Sequence, residues 1–341
     1  MTLPTSAPRH GHLLMRICAA FAFMAALVLS SPAAHSQARP PVPRIGFLSF
    51  FPRLSVPLSD PLEVGFQQGL KELGLVEGQS VVVERRYAGF RPDQLAAMTE
   101  ELVRLKVDVI FAVGQPAREA ARKSTSTIPI VTMGGSDPVR EGWAKSLAVP
   151  GGNVTGLLFT FPELGSKRLE LLKEAMPGLS RVAVLIDTVQ VVDARDVIRE
   201  TEAGARRLGL QLQVLEIHGP EDFDAAFERA RLGRAQAVLT LAMFPYRARI
   251  AAASAADRLV SMGESAQETA EGFVLAYGAD IDDLGRRCVL QIGKILKGAR
   301  AGDLPIERPA KFRLSINLKT AKALGVTLPA SLLLRADEVI Q

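Results

Sequence analysis

At 341 residues, 48% of them apolar, the chain is long enough for two lobes with separate cores and too apolar for global disorder. Its formal charge of +5 comes from lysines and arginines interleaved with carboxylates, and only 6% of its residues are aromatic. Neither a basic stripe for phosphates nor a stacking platform for bases is present, which excludes nucleic acid as an expected partner.

The chain begins with a pattern of export. Arg9 and Arg16 form a positive region, residues 17–29 an apolar run, and Ser36-Gln37-Ala38 a small-residue cleavage site. The run is short for a membrane span, which needs about 20 residues. Residues 1–38 are therefore expected to be a signal peptide, with the mature protein soluble in the periplasm. Cleavage removes Cys18 and leaves Cys288, so no internal disulfide can form.

Beyond a proline-rich lead-in, strands and helices alternate. Strand-like runs fall at 44–49, 80–85, 107–113 and 128–133, and helical patterns at 60–73, 92–105 and from Gln115-Pro116. Such alternation implies a parallel sheet with helices on both faces. At the end of the fourth run, Gly134-Gly135-Ser136 lead into Asp137-Pro138, which reads as a capped helix start. A tight Pro150-Gly151-Gly152 turn and an extended segment at 153–160 follow. The pattern then restarts, with helices at 162–175, 193–208, 221–231 and 246–259 and strands at 181–186, 211–217, 235–241 and 273–277. A helix over 281–297 carries Cys288 on its apolar stripe with Ile281, Leu284, Ile292, Ile295 and Leu296. A strand at 311–316 and a short helix at 318–324 close the chain.

The restart near 160 predicts an α/β fold of two similar, doubly wound parallel-sheet lobes joined by a multi-strand hinge. The last third is too short for another domain and is expected to thread back through both. The first lobe is expected to comprise 43–158 with 279–311, and the second 159–278 with 312–341. Connections are expected near 155–161, 277–280 and 312–317.

Reactive chemistry is sparse. Apart from three histidines in the leader only His218 remains, on an expected loop, so no transition-metal site is expected. A G-x-S-x-G elbow, a phosphate-binding loop and a G-x-G-x-x-G turn are all missing. No cofactor and no catalytic residue is assigned.

In an open α/β sheet a ligand sits beyond the carboxyl ends of the strands. In the first lobe those ends carry Phe50, Phe51, Gly114, Gln115, Pro116, Ser136 and Asp137. In the second they carry Asp187, Thr188, Met243 and Ser265. Free N–H groups at the two Pro-initiated helix starts suit a carboxylate. Asp137 suits an amine or serves only as a cap. One of Phe50 and Phe51 is expected in the core, because neighbouring strand residues face opposite ways.

Several ordered motifs carry a resemblance: RIGFLS at 44–49, GLKELG at 69–74, the DPV and PGGNVTG segments at 137–139 and 150–156, PGLSRVAVL at 177–185, and INLKTAKALG at 316–325. Together they resemble exported ABC-transporter substrate-binding proteins of the type I-like periplasmic class, related to tryptophan and aromatic amino-acid binding proteins. The resemblance implies a monomer that hands a small solute to an inner-membrane ABC permease. The chain departs from the family pattern at Asp187-Thr188-Val189, where relatives often carry Asn-Pro. It departs again at Val260-Ser-Met-Gly-Glu-Ser-Ala-Gln267, where they often carry Pro-Ala-Ile and aromatics. The rival expectations are an exported α/β enzyme with an unfamiliar site and a solute-sensing module for a receptor.

Overall fold

The computed structural model describes residues 1–2, 42–53, 60–135, 137–158, 163–187 and 194–341. The expected leader, Met1 and Thr2 apart, lies outside the described residues. By internal packing the chain falls into residues 1–41 and 42–341, and every element below belongs to the latter.

The first sheet is built from β1 (Arg44–Ser49), α1 (Pro61–Glu72), β2 (Val82–Tyr87), α2 (Pro92–Arg104), β3 (Val109–Val113), α3 (Gln115–Ser124), β4 (Ile130–Met133) and β5 (Val154–Leu157). Its strand order is β2-β1-β3-β4-β5, and every pair is parallel. The pleat sends alternate side chains to two cores. Val109, Phe111 and Val113 join one with Phe66 and Leu70 of α1, while Ile110 and Ala112 join the other with Leu95 and Leu102 of α2 and Ala117 of α3. Because both faces are covered, β3 is apolar throughout.

The second sheet takes α4 (Glu163–Ala175), β6 (Arg181–Asp187), α5 (Ala194–Arg207), β7 (Gln211–Ile217), α6 (Phe223–Leu232), β8 (Ala237–Leu241), α7 (Arg247–Ala256), β9 (Val260–Gly263), α8 (Ala266–Ala270) and β10 (Leu275–Ala279). The chain then forms α9 (Ile281–Leu296), β11 (Phe312–Asn317), α10 (Leu318–Ala323), α11 (Ala330–Leu333) and β12 (Glu338–Ile340). The strand order is β12-β11-β10-β9-β8-β6-β7. β11 runs antiparallel to β10 and is the exception to parallel pairing in this sheet.

The last third crosses between the sheets. α9 leaves the second sheet after β10 and buries Leu284, Cys288, Val289 and Ile292 in the core of the first, with Phe47, Phe66 and Phe111. Glu307 then pairs beside β5, its N–H donating to Gly156 O at 2.9 Å, and the chain returns as β11. The fold is thus two doubly wound α/β lobes with a hinge of several strands.

The stretch after Asp137-Pro138 corrects one expectation, because it is a single turn and not a helix. Asp137 Oδ1 accepts from Val139 N and Arg140 N at 3.1 Å each, and Glu141 N donates to Asp137 O at 2.9 Å. Gly142 follows at φ 74° and ends the winding after one turn. Asp and Pro specify a helix start, but Gly142 and Pro150 leave too few residues to propagate it. β2 also lies two residues later than expected, and the sequence pattern predicts no element at β9, α8, α11 or β12.

α1 and α9 meet through glycines. A Cβ on Gly65 would stand 2.0 Å from the Asp282 carbonyl oxygen, and one on Gly69 2.6 Å from Val289 Cβ. Gly65→Ala should therefore destabilise the protein by about 1–2 kcal/mol, overpacking outweighing the gain in helix propensity. Urea unfolding measures this, and an unchanged midpoint would contradict the close contact.

Candidate functional site

The carboxyl ends of β1, β2, β3 and β4 share one edge of their sheet, and this edge lines a cavity of about 100 Å³. Ser49 closes β1 by accepting from Phe51 N at 3.1 Å and donating to Phe51 O at 3.2 Å. That turn presents Phe51 and Pro52 to the cavity. Tyr87 and Phe90 follow β2, while Val113 and Met133 end β3 and β4. Phe50, Phe51 and Phe90 pack edge to face, with centroids 5.8 Å apart between Phe50 and Phe51 and 5.7 Å from each to Phe90. This geometry suits aromatic quadrupoles and keeps the wall stiff. Phe90 takes φ 65°, held there by its N–H donating to Phe50 O at 2.8 Å.

Two helix starts add to the same wall. Asp60 caps α1, its Oδ1 accepting from Leu62 N at 3.0 Å, and Ile281 opens α9. The second lobe contributes Arg247 at the start of α7, Ser265 before α8 and Gln267 within it. The walls differ in kind: the first lobe supplies aromatic and aliphatic surface, the Tyr87 hydroxyl and one carboxyl, the second a cation, a hydroxyl and an amide.

Electrostatics distinguish the polar groups. Burial pushes the Asp60 carboxyl above its ordinary range, with Arg247 opposing the shift. Burial pushes the Tyr87 hydroxyl up to about 12, with Glu63 adding to the effect. The Arg247 side chain is 19% exposed and stands 4.0 Å from Glu271. Its guanidinium makes no hydrogen bond among the described residues beside that ion pair, which leaves donors for a ligand.

Of the residues expected at the site, Phe51 and Ser265 line the cavity. Phe50 stands behind Phe51 in the core. Gly114, at φ 90°, brings its backbone against both rings, and a Cβ there would be 3.1 Å from Phe50 Cβ. Gln115 and Pro116 open α3 away from the lining, and Asp137 caps its turn. Asp187 is buried at the end of β6, and Met243 packs in the core with Phe223 and Phe227. Ser136 and Thr188 lie outside the described residues. His218 is an exposed loop residue 3.3 Å from Asp222.

The sequence reading missed Asp60, Tyr87, Phe90, Arg247 and Gln267. Asp60-Pro61 carries the same Asp-Pro signal as Asp137-Pro138, so one was available. Tyr87 fell beyond an expected strand end that was set two residues early.

A buried ion pair stiffens the edge beside the cavity. Arg118 of α3 is fully buried, pairs with Glu141 and lies 4.8 Å over the Trp143 ring. Trp143 Nε1 donates to the same carboxylate at 3.1 Å. Arg140, on that turn, pairs with Asp196 at the start of α5 in the second lobe and holds its carboxyl below the usual range.

Comparison with known proteins agrees with this architecture. The profile of the family described as ABC transporter substrate binding protein matches residues 54–340. A tyrosine-binding protein of Clostridioides difficile (strain R20291) is 25% identical over 277 residues, 79% of this chain and 78% of that one. A crystal structure of a conserved domain protein from Vibrio cholerae superposes with TM-score 0.78 at 23% identity, covering 87% of this chain and 99% of that one. The ABC domain from Streptococcus pneumoniae in complex with L-Trp superposes with TM-score 0.75 at 23% identity, covering 87% and 100%. The fold is that of type I periplasmic binding proteins.

Glu141→Ala should cost about 1–3 kcal/mol, because it removes the buried carboxylate paired with Arg118 and leaves only the partly exposed Glu119, 3.1 Å from Arg118 Nε, as its partner. Chemical denaturation reads this directly, and a loss below about 1 kcal/mol would contradict the pairing.

Proposed function

The chain belongs to the ABC transporter substrate-binding protein family, and from that premise we propose that it captures an aromatic amino acid in the cavity between its lobes. The family is one of solute-binding proteins, not enzymes, and the protein works by closure without covalent chemistry. A ligand touching both walls favours the closed state by its differential affinity for it. The closed protein then delivers the solute to an inner-membrane ABC permease. We assign residues 1–38 as the signal peptide that sends it to the periplasm, where it acts as a monomer. We assign 43–158 with 279–311 to the first lobe and 159–278 with 312–341 to the second.

The observation that carries this reading is the pairing of opposite walls around one small cavity. Phe51, Tyr87 and Phe90 offer ring faces and edges to an aromatic side chain. Asp60 matches an ammonium, and Arg247, with unused donors, matches a carboxylate in bidentate fashion. The volume of about 100 Å³ is below that of the engineered cavity of about 150 Å³ that takes benzene, so the lobes must part to admit a whole amino acid. The names of two similar proteins, one tyrosine-binding and one solved with L-Trp, support the same ligand class.

Calorimetry with L-tyrosine, L-tryptophan and L-phenylalanine tests the proposal. At least one should bind with a micromolar Kd, about −8 kcal/mol. Arg247→Ala and Asp60→Asn should each weaken that binding about 10- to 100-fold, as expected for a lost hydrogen bond to a charged group. Absence of binding by all three, or wild-type affinity in both variants, would overturn it.

A further inference from the structure

Behind the second-lobe wall lies a carboxyl cluster that ligand capture as described does not use. Glu268 of α8 is fully buried. Its Oε2 accepts from Glu264 N at 2.6 Å, Ser265 N at 2.7 Å and Ser265 Oγ at 3.2 Å. Its Oε1 lies 3.3 Å from Thr240 Oγ1, which is also 3.3 Å from Met262 O. The charged groups facing it are Glu264, from the turn after β9, and Arg168, from α4. Arg168 Nη1 bonds Glu264 Oε1 at 2.8 Å, and its Nε donates to Tyr277 O at 2.8 Å. The cation is thus committed to Glu264, and among the described residues Glu268 has only neutral donors.

The surroundings are shaped for this carboxyl. A Cβ on Gly263 would stand 2.7 Å from Glu268 Cδ, and one on Gly278 1.8 Å from Glu264 O. Both protonation states fit the same atoms. When neutral, Glu268 donates from Oε1 to Thr240 Oγ1, Thr240 donates to Met262 O, and Oε2 still accepts the amides. When ionised, both oxygens accept, and the charge draws the Ser265 hydroxyl proton inward. Ser265 lines the cavity. Oε2 is the stronger acceptor when Glu268 is ionised, so the proton on Glu268 biases whether Ser265 offers the ligand a donor or a lone pair.

We propose that Glu268 is a positioning residue that sets the hydrogen-bonding polarity of Ser265 and makes ligand capture depend on pH. The inference rests on the reading of the cavity as an amino-acid site and adds its regulation. Burial, reinforced by Glu264, pushes the Glu268 carboxyl up to about 7 from an ordinary value of 4.5. Ionisation turns a lone pair to the cavity and adds negative charge behind it, and both favour the ammonium group of the ligand. Capture is tighter above neutral pH than below it, and binding near pH 7 releases a proton. The sign for stability is opposite. A carboxyl whose folded value is raised stabilises the fold below its ordinary value, and that contribution is lost as pH rises through about 7.

Calorimetry with L-tyrosine and L-tryptophan at pH 6 and pH 8, in buffers of different ionisation enthalpy, tests this on the wild type, Glu268→Gln and Ser265→Ala. The wild type should bind on the order of fivefold more tightly at pH 8, with proton release, Glu268→Gln should show a flat profile, and Ser265→Ala should show a weaker pH dependence than wild type. Ligand-free melting supplies a second readout. Wild type and Ser265→Ala should lose stability between pH 6 and 8, whereas Glu268→Gln should not. Binding with the same pH profile in wild type and Glu268→Gln would overturn the proposal and leave the amino-acid reading standing. Melting profiles that match in those two proteins would also overturn it. Absence of binding at either pH would overturn both readings.

Discussion

The seam between α1 and α9 is the contact on which the remaining geometry depends. α9 follows β10 of the second sheet directly, yet it packs on the first. Glycines make that approach possible: Gly65 and Gly69 on α1, and Gly285 and Gly293 on α9, each of which brings α1 or Leu73 within contact distance. The seam aligns the two helix starts, so that Asp60 and Ile281 enter the same cavity. It also fixes where the chain crosses between lobes, beside β5 and at the β10–β11 pair. The proposed closure would rotate the lobes about these short crossings while each sheet keeps its pairing.

Around this frame the buried charges gather at the carboxyl ends of the strands. Arg118 with Glu141 braces the end of the first sheet, and Arg168 with Glu264 braces the end of the second. Such pairs are weak arguments for stability, since desolvation offsets much of their attraction. Their effect is to hold turns that would otherwise carry only loop flexibility. The turn after β4 is pinned through Glu141, and the turn after β9 through Glu264 and Glu268. A stiff wall loses less entropy when it orders around a ligand. The two sites differ in one respect: Arg118 has the carboxylates of Glu141 and Glu119, whereas among the described residues Glu268 shares the Arg168 cation with Glu264.

Much of the fold was legible because period and punctuation agreed. β1 and β7 fall at their expected bounds, and Pro92 and Gln115-Pro116 mark true helix starts. Cys288 lies in the core, as its place on an apolar stripe implied. The site was less legible, for physical reasons. Phe50 and Phe51 could be separated only by the Ser49 turn, which sends one ring to the core and the other to the cavity. Asp137-Pro138 looked like Asp60-Pro61, yet Gly142 cut the first short while α1 propagated. Arg247 and Gln267 come from helix starts in the second lobe, and nothing local marks them as facing the first. Their role depends on how the lobes meet, which periodicity does not encode.

Capture of the kind proposed requires that one small molecule be held by both walls at once. A crystal structure of the protein grown with L-tyrosine or L-tryptophan tests this most directly. The expected density is an aromatic ring against Phe51, Tyr87 and Phe90, a carboxylate within hydrogen-bonding distance of Arg247, and an ammonium beside Asp60. Ligand density confined to one lobe, or a cavity left empty under saturating ligand, would contradict it.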